Sequence, residues 1–203
     1  DNEYLVMVTK NGVIKKTPAS EYESIRKSGK IAITLKEGDE LISIFKTTGN
    51  DNIFLATRNG MAICFNENDA RAVGRTASGV KAIDLADGDY VVGAEPVRED
   101  SKVLLVTDGG YGKCTDLTSF RIQHRGGKGL KAYKITEKTG NIIGISMVND
   151  SEELIMVTSE GVVIRIRIKD IATTTGRITQ GVRLINLNDG VIVVSMDKIS
   201  AED

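Results

Sequence analysis

Tryptophan is absent and histidine occurs once, at His124. A catalytic plan built on several imidazoles is therefore excluded, and so is a histidine-rich zinc site. Proline occurs only twice, against 21 glycines, so the turns must be glycine turns. The longest uncharged apolar stretches, such as Val191-Ile192-Val193-Val194, are four or five residues long. A membrane helix needs about 20, so a membrane-spanning helix is excluded. Neither sign of charge prevails: 27 basic residues face 28 acidic ones, for a net charge of −1. The start, Asp1-Asn2-Glu3-Tyr4, has no basic region and no apolar stretch. It reads as the start of an excised fragment and not as a signal peptide.

What is present is a hydrophobic fraction of 40% over 203 residues. That is ordinary for a globular chain, too high for a disordered one, and enough for one or two domains with a real core. Internal repeats dominate the pattern. Thr-x-x-Gly recurs with its glycine at Gly12, Gly60, Gly110 and Gly161, spacings of 48, 50 and 51 residues. Each copy follows an apolar run, as in Leu5-Val6-Met7-Val8 and Val103-Leu104-Leu105-Val106. A second glycine follows at Gly29, Gly79, Gly129 and Gly181. A turn and another apolar run begin at Gly38, Gly88, Gly140 and Gly190. The chain thus divides into four repeats, at about 3–51, 52–101, 102–152 and 153–200.

Short Val/Ile/Leu runs bounded by Gly, Asn and Asp are strand signatures, and Asn11-Gly12, Asn59-Gly60 and Asp189-Gly190 are hairpin dipeptides. Helical periodicity is absent apart from short turns near 20–27 and 67–72. Four short strands in a unit of about 50 residues is the arithmetic of a propeller blade. The expected fold is all-β: a single propeller-like repeat domain of four-stranded blades. Separate 50-residue β-domains without disulfide or metal would be marginal, so the blades should stack.

Cys64 and Cys114 each lie four residues after the hairpin glycine of neighbouring repeats. They read as small core residues on equivalent strands or as a disulfide or metal pair. The core reading is preferred, because equivalent positions in adjacent blades usually lie too far apart to bridge. Two free thiols also fit a reducing, cytoplasmic compartment.

The balanced charge conceals segregation. The windows 12–31, 60–81, 110–131 and 161–183 hold 18 of the 27 basic residues and only six acids. They carry +12, and the rest of the chain −13. A basic window recurring in every repeat would give a disc a positive rim, suited to a polyanion. Duplex DNA, with its continuous anionic track, is the natural partner. Solubilising surface lysines would instead come mixed with acids. Few aromatics interleave, so backbone contact with a duplex fits better than base stacking on a single strand. The candidate DNA contacts are Lys15, Lys16, Arg26, Lys27, Lys30, Arg71, Arg75, Lys113, Arg121, Arg125, Lys128, Lys131, Arg165, Arg167 and Arg177.

The sharpest local motif is Gln123-His124-Arg125-Gly126-Gly127-Lys128-Gly129. Its glycines free the backbone for close approach, and its cations can neutralise an anion. It is not a nucleotide P-loop, since Gly129 follows Lys128 where Ser or Thr is needed. Its other reading is a flexible loop between blades.

The chain resembles the C-terminal β-pinwheel domain of the DNA gyrase A subunit. The resemblance covers all four repeats and rests on Thr9-Lys10-Asn11-Gly12-Val13-Ile14-Lys15, Glu37-Gly38-Asp39-Glu40-Leu41, Arg71-Ala72-Val73-Gly74-Arg75-Thr76-Ala77-Ser78-Gly79 and Thr179-Gln180-Gly181-Val182. These stretches favour gyrase over topoisomerase IV. The family domain usually has six blades, so the chain resembles the last four. Residues 123–129 match its GyrA-box signature, with His124 at the first basic position. The family's box belongs to the first blade, whereas this copy stands in the third repeat.

The resemblance implies a non-catalytic domain that wraps duplex DNA on its rim and supports ATP-driven negative supercoiling by a type IIA topoisomerase. It implies gyrase B and the rest of gyrase A as partners in a heterotetramer, with the cleavage tyrosine and the ATP and Mg²⁺ sites elsewhere. Tyr4, Tyr22, Tyr90, Tyr111 and Tyr133 then read as rim or packing residues. It carries DNA contact onto Arg125 and Lys128, so joint replacement of Lys15, Lys16, Arg125 and Lys128 should weaken binding. Two other classes compete: a protein-interaction propeller whose negative faces recruit a basic partner, and an enzyme with a site in a central channel. The second lacks convergent catalytic residues, since Asp39 and Asp89 recur in turns.

Overall fold

The computed structural model describes residues 3–23 and 33–200. The regular elements are strands and short 3-10 turns. The first repeat contributes β1 (Tyr4–Thr9), β2 (Val13–Pro18), a turn at Ala19–Tyr22 and β3 (Leu41–Thr47). The second contributes β4 (Asn52–Thr57), β5 (Met61–Asn66), a turn at Glu67–Asp69, β6 (Val80–Lys81) and β7 (Val91–Pro96). The third contributes β8 (Lys102–Thr107), β9 (Tyr111–Thr115), a turn at Leu117–Ser119, β10 (Leu130–Lys131) and β11 (Ile142–Val148). The fourth contributes β12 (Glu152–Thr158), β13 (Val163–Arg167), a turn at Ile168–Asp170, β14 (Thr173–Thr174), β15 (Val182–Arg183) and β16 (Val193–Ser200).

The recurring Thr-x-x-Gly has a physical explanation. The glycines at 12, 60, 110 and 161 have φ of +85°, +88°, +82° and +78°, a region that L side chains rarely adopt. Each glycine amide donates to the carbonyl of the threonine three residues before it, at 2.9–3.1 Å. The threonine hydroxyl accepts the next amide: Val13 N to Thr9 Oγ1 at 3.1 Å, Met61 N to Thr57 at 3.2 Å, Tyr111 N to Thr107 at 3.1 Å and Val162 N to Thr158 at 3.2 Å. One residue pair thus closes the turn of each hairpin. The turn acids are structural too. Asp39 Oδ1 accepts from Asn11 N at 2.9 Å and Glu40 N at 2.8 Å, and Asp89 Oδ1 from Tyr90 N at 2.8 Å.

The sheets do not coincide with the sequence repeats. In each, the first strand of a repeat lies between its hairpin partner and the strand that returns, as in β3-β1-β2. The outer strand comes from the following repeat: β6 pairs with β2, β10 with β5, and β14 and β15 with β9. The strands counted for one blade therefore belong to two sequence repeats. Among the described residues the fourth sheet is β13-β12-β16, with no outer strand on β13.

The middle strands β1, β4 and β8 are buried on both faces, which explains their continuous apolar runs, whereas β12 alternates between buried and half-buried residues. The chain forms two compact units, Asp1–Leu55 with Ile63–Val97 and Ile122–Gly129, and Ala56–Ala62 with Arg98–Arg121 and Leu130–Asp203. The core of the first is built on Val6, Val8, Ile53, Leu55, Phe65 and Ile83. The core of the second is built on Leu104, Val106, Leu154, Met156, Ile168 and Val193. Cys64 and Cys114 are buried free thiols, Cys114 within the second core. Burial pushes each thiol up to about 11. Among the described residues no helix is long and apolar enough to cross a membrane.

Candidate nucleic-acid interface

After its 3-10 turn, each of the last three repeats sends a strap along the second strand of the repeat before it. The outward leg runs parallel: Ala72 bridges to Lys16, Gln123 to Phe65, and Thr173 to Cys114. The return leg runs antiparallel, with Val80 opposite Ile14, Leu130 opposite Ala62 and Val182 opposite Gly112. Between the legs a loop leaves the sheet, over residues 73–79, 124–129 and 175–181. The second glycine of the repeat marks re-entry. Gly79 and Gly181 have φ of +86° and +70°, and a Cβ on them would lie 2.5 Å from the Ile14 carbonyl oxygen and 2.4 Å from that of Gly112. In each of the last three repeats the basic window comprises the second strand, the 3-10 turn and the strap.

Burial divides the candidate cations. Lys15, Lys16 and Lys113 are 1%, 4% and 0% exposed, so they are packing residues and not surface contacts. Lys113 Nζ donates to the Arg177 carbonyl at 2.7 Å and to the Thr179 carbonyl and hydroxyl at 3.1 and 2.9 Å. It also lies 4.7 Å from the centre of the Tyr133 ring. Burial lowers its pKa from 10.5 to about 8. Lys15, at the equivalent position of the first repeat, donates to the Arg75 carbonyl. Its pKa is also lowered, chiefly by burial, against the opposing pull of Glu21. Lys16 Nζ lies 3.9 Å from the fully buried Glu67 carboxylate and 4.1 Å from the Tyr4 ring centre. Lys15 and Lys113 tie a strap to the sheet it covers, and Lys16 meets the 3-10 turn that precedes the strap.

Residues 123–129 form the loop of the third repeat's strap. The Gln123 amide donates to the Cys64 carbonyl at 2.8 Å. His124 is 97% exposed, with Nδ1 3.4 Å from Asp69 Oδ2. The half-buried Arg125 donates from its backbone to Asp69 Oδ2 at 3.1 Å, from Nε to the Asp69 carbonyl at 2.8 Å and from Nη1 to the Lys81 carbonyl at 2.9 Å. The Gly126 amide, at φ +84°, donates to the Ala82 carbonyl at 2.7 Å, and the Gly127 carbonyl accepts from Asp84 N at 2.8 Å. Gly129, at φ +79°, completes the loop. The motif therefore lies strapped onto the preceding repeat, with Lys128 exposed.

Other candidates divide similarly. Arg71, Arg121 and Lys131 are exposed. Arg75 is half-buried, and its amide donates to Glu21 Oε2 at 2.7 Å. Arg165 is paired with Glu153, and Arg167 lies 2.9 Å from Asp170 Oδ2. Arg177 is half-buried and donates to the Lys131 carbonyl at 2.8 Å. Arg26, Lys27 and Lys30 lie outside the described residues. Lys81, with its side chain 62% exposed, and Arg183 share the strap return leg with Lys131 but stand outside the candidate set. Their signal was available: each lies two residues after a strap glycine. Among the described residues no group of His, Cys, Asp and Glu is placed to hold a metal ion.

An all-β chain of small, mainly antiparallel sheets, three of them completed among the described residues by a strand from the next repeat, defines a propeller-type repeat domain. The family model for the DNA gyrase C-terminal domain, a beta-propeller, matches residues 3–48, 51–98, 101–149 and 152–200, and the chain belongs to this family. It is 56% identical over 203 residues to the DNA gyrase A subunit of Halalkalibacterium halodurans and 49% identical over 203 residues to that of Clostridium acetobutylicum. Both alignments cover the whole chain and 24% of the relative, so the chain spans about a quarter of the length of these relatives. Among solved structures, the C-terminal domain of DNA topoisomerase IV superposes with a TM-score of 0.93 at 30% identity, covering 100% of this chain and 64% of that one. The DNA gyrase A C-terminal domain superposes with a TM-score of 0.86 at 26% identity, covering 98% and 66%.

Proposed function

We propose that this chain is a non-catalytic domain that bends and wraps duplex DNA, supporting negative supercoiling by a type IIA topoisomerase of the gyrase kind. The observation that carries this reading is the recurrence of exposed cations on successive straps: Lys81, Lys128, Lys131 and Arg183. Phosphate contact needs solvent-facing cations on a repeated scaffold, and the straps provide them once the buried lysines are set aside. Bending a site of 20–30 bp costs about 1–6 kcal/mol, which several contacts in series can offset and one loop cannot. On this reading the cleavage tyrosine and the ATP and Mg²⁺ sites belong to other parts of the enzyme. The partners are duplex DNA, the rest of gyrase A and gyrase B, in the bacterial cytoplasm.

The test is affinity for linear duplexes of about 20 to 150 bp across a salt series. Affinity should rise with length, and each phosphate contact should add about 0.9 to the magnitude of the salt slope. Replacing Lys81, Lys128, Lys131 and Arg183 by Gln should flatten that slope and weaken binding. Unchanged binding by this variant would overturn the interface, and no binding by the unaltered chain would favour a surface for basic protein partners. The TM-score of 0.93 to the topoisomerase IV domain favours a second reading, the equivalent domain of that enzyme. Ligation of nicked circles separates the two: retained positive writhe supports gyrase-type wrapping, and bending without writhe supports the other.

A further inference from the structure

An arginine stands four residues before the strap glycine in three repeats, at Arg75, Arg125 and Arg177. Two of these make the same long-range bond. Arg125 Nη1 donates at 2.9 Å to the carbonyl of Lys81, and Arg177 Nη1 at 2.8 Å to the carbonyl of Lys131. Lys81 and Lys131 are the exposed cations on the return leg of the preceding strap. Beside these two bonds runs a backbone rung, Asp84 N to the Gly127 carbonyl at 2.8 Å and Lys134 N to that of Thr179 at 3.0 Å. Successive straps are thus pinned to one another as well as to the sheets they cover.

We propose that Arg125 and Arg177 are positioning residues that latch each strap to the cation-bearing residue of the strap before it, setting the spacing of the exposed cations without binding phosphate themselves. The guanidinium fork suits this, because its rigid donors can bind fixed carbonyls where a flexible ammonium serves as a point charge. Arg125 uses Nε on Asp69 and Nη1 on Lys81, so the side chain is directed inward. In the motif 123–129 the two cations have different tasks: Arg125 sets the distance between straps, and the exposed Lys128 meets the anion. This rests on the DNA-binding reading above.

The test compares Arg125→Gln, Arg177→Gln and Lys128→Gln in the 203-residue chain. On a duplex of about 15 bp, Arg125→Gln and Arg177→Gln should bind within about 2-fold of the unaltered chain, with the same salt slope. On a duplex of about 150 bp they should lose end-to-end compaction measured by energy transfer, because bending needs contacts at fixed intervals. Lys128→Gln should do the reverse on the short duplex, lowering the slope by about 0.9. Independently of DNA, Arg125→Gln should raise amide exchange at Asp84 and Gly126 by ~10-fold, and Arg177→Gln should do so at Lys134. Arg125→Lys keeps the charge and loses the fork, and should behave as Arg125→Gln does.

A slope lowered on the short duplex by Arg125→Gln would make Arg125 a phosphate contact and overturn the proposal. So would unchanged compaction, unchanged amide exchange, or full rescue by Arg125→Lys. An unaltered chain that binds no duplex overturns the functional reading itself, and that result is seen before any variant is made.

Discussion

Lys113 lies in β9 opposite Leu105, at the same hairpin position as Lys15 opposite Met7. A lysine within a strand reads as a solvent-facing residue, and nothing local says otherwise. The strap of the next repeat covers it and provides three oxygen acceptors in place of water. The burial was therefore illegible locally: it depends on residues 64 to 66 positions away. The consequence is measurable. The folded pKa, at about 8, lies below the ordinary value of 10.5, so between those limits the unfolded chain holds more protons at this site. Stability from this group rises as pH climbs from about 8 to 10.5 and is lost again as pH falls through the folded value. Lys113→Met should flatten that part of the pH dependence of thermal melting, and an identical profile would show that the amine titrates normally.

The hairpins and the straps differ in how far the sequence displays them. Each hairpin is written twice, in its apolar run and in its Thr-x-x-Gly, because the bonds that close its turn are local. The strap is written only as a glycine and a few cations. Its strands β6, β10 and β15 are two residues long and pair with another repeat, so no periodicity marks them. The 3-10 turns at Leu117–Ser119 and Ile168–Asp170 also escape pattern reading, although they occupy the place predicted for the turn near residue 67. The strap glycines yield a prediction. Gly79→Ala combines a φ of +86° with a Cβ 2.5 Å from a backbone oxygen and should cost about 2 kcal/mol or more. Gly74, in the same loop, has open space around its Cβ, and Gly74→Ala should stay within about 0.5 kcal/mol. Chemical denaturation of the two variants measures the difference, and equal costs would mean that the strap is not held where Gly79 enters the sheet.

Across the whole chain, stability is shared between neighbours in sequence. The second strand of the third repeat draws two partners, β14 and β15, from the fourth. Removing residues 171–203 should therefore unprotect amides in β8 and β9, whose own repeat is intact, while β1 and β2 keep their protection. Hydrogen exchange on the truncated chain reads this directly, and undiminished protection at Cys114, whose amide faces the Ala172 carbonyl at 3.4 Å, would argue against shared stability.

The offset between repeat and sheet also bears on how such a chain can grow. Each repeat contributes three strands to its own sheet, and each of the last three lends outer pairing backward, so the genetic unit and the folded unit are out of phase. An unequal recombination that inserts one more copy of about 50 residues joins like to like at both ends. The new copy covers its predecessor and is covered by its successor. Repeat number can then change in a single event without leaving a bare edge inside the array, and only the terminal sheet changes identity. Lineages can vary the length of the array by counting copies, with no need to redesign any one of them.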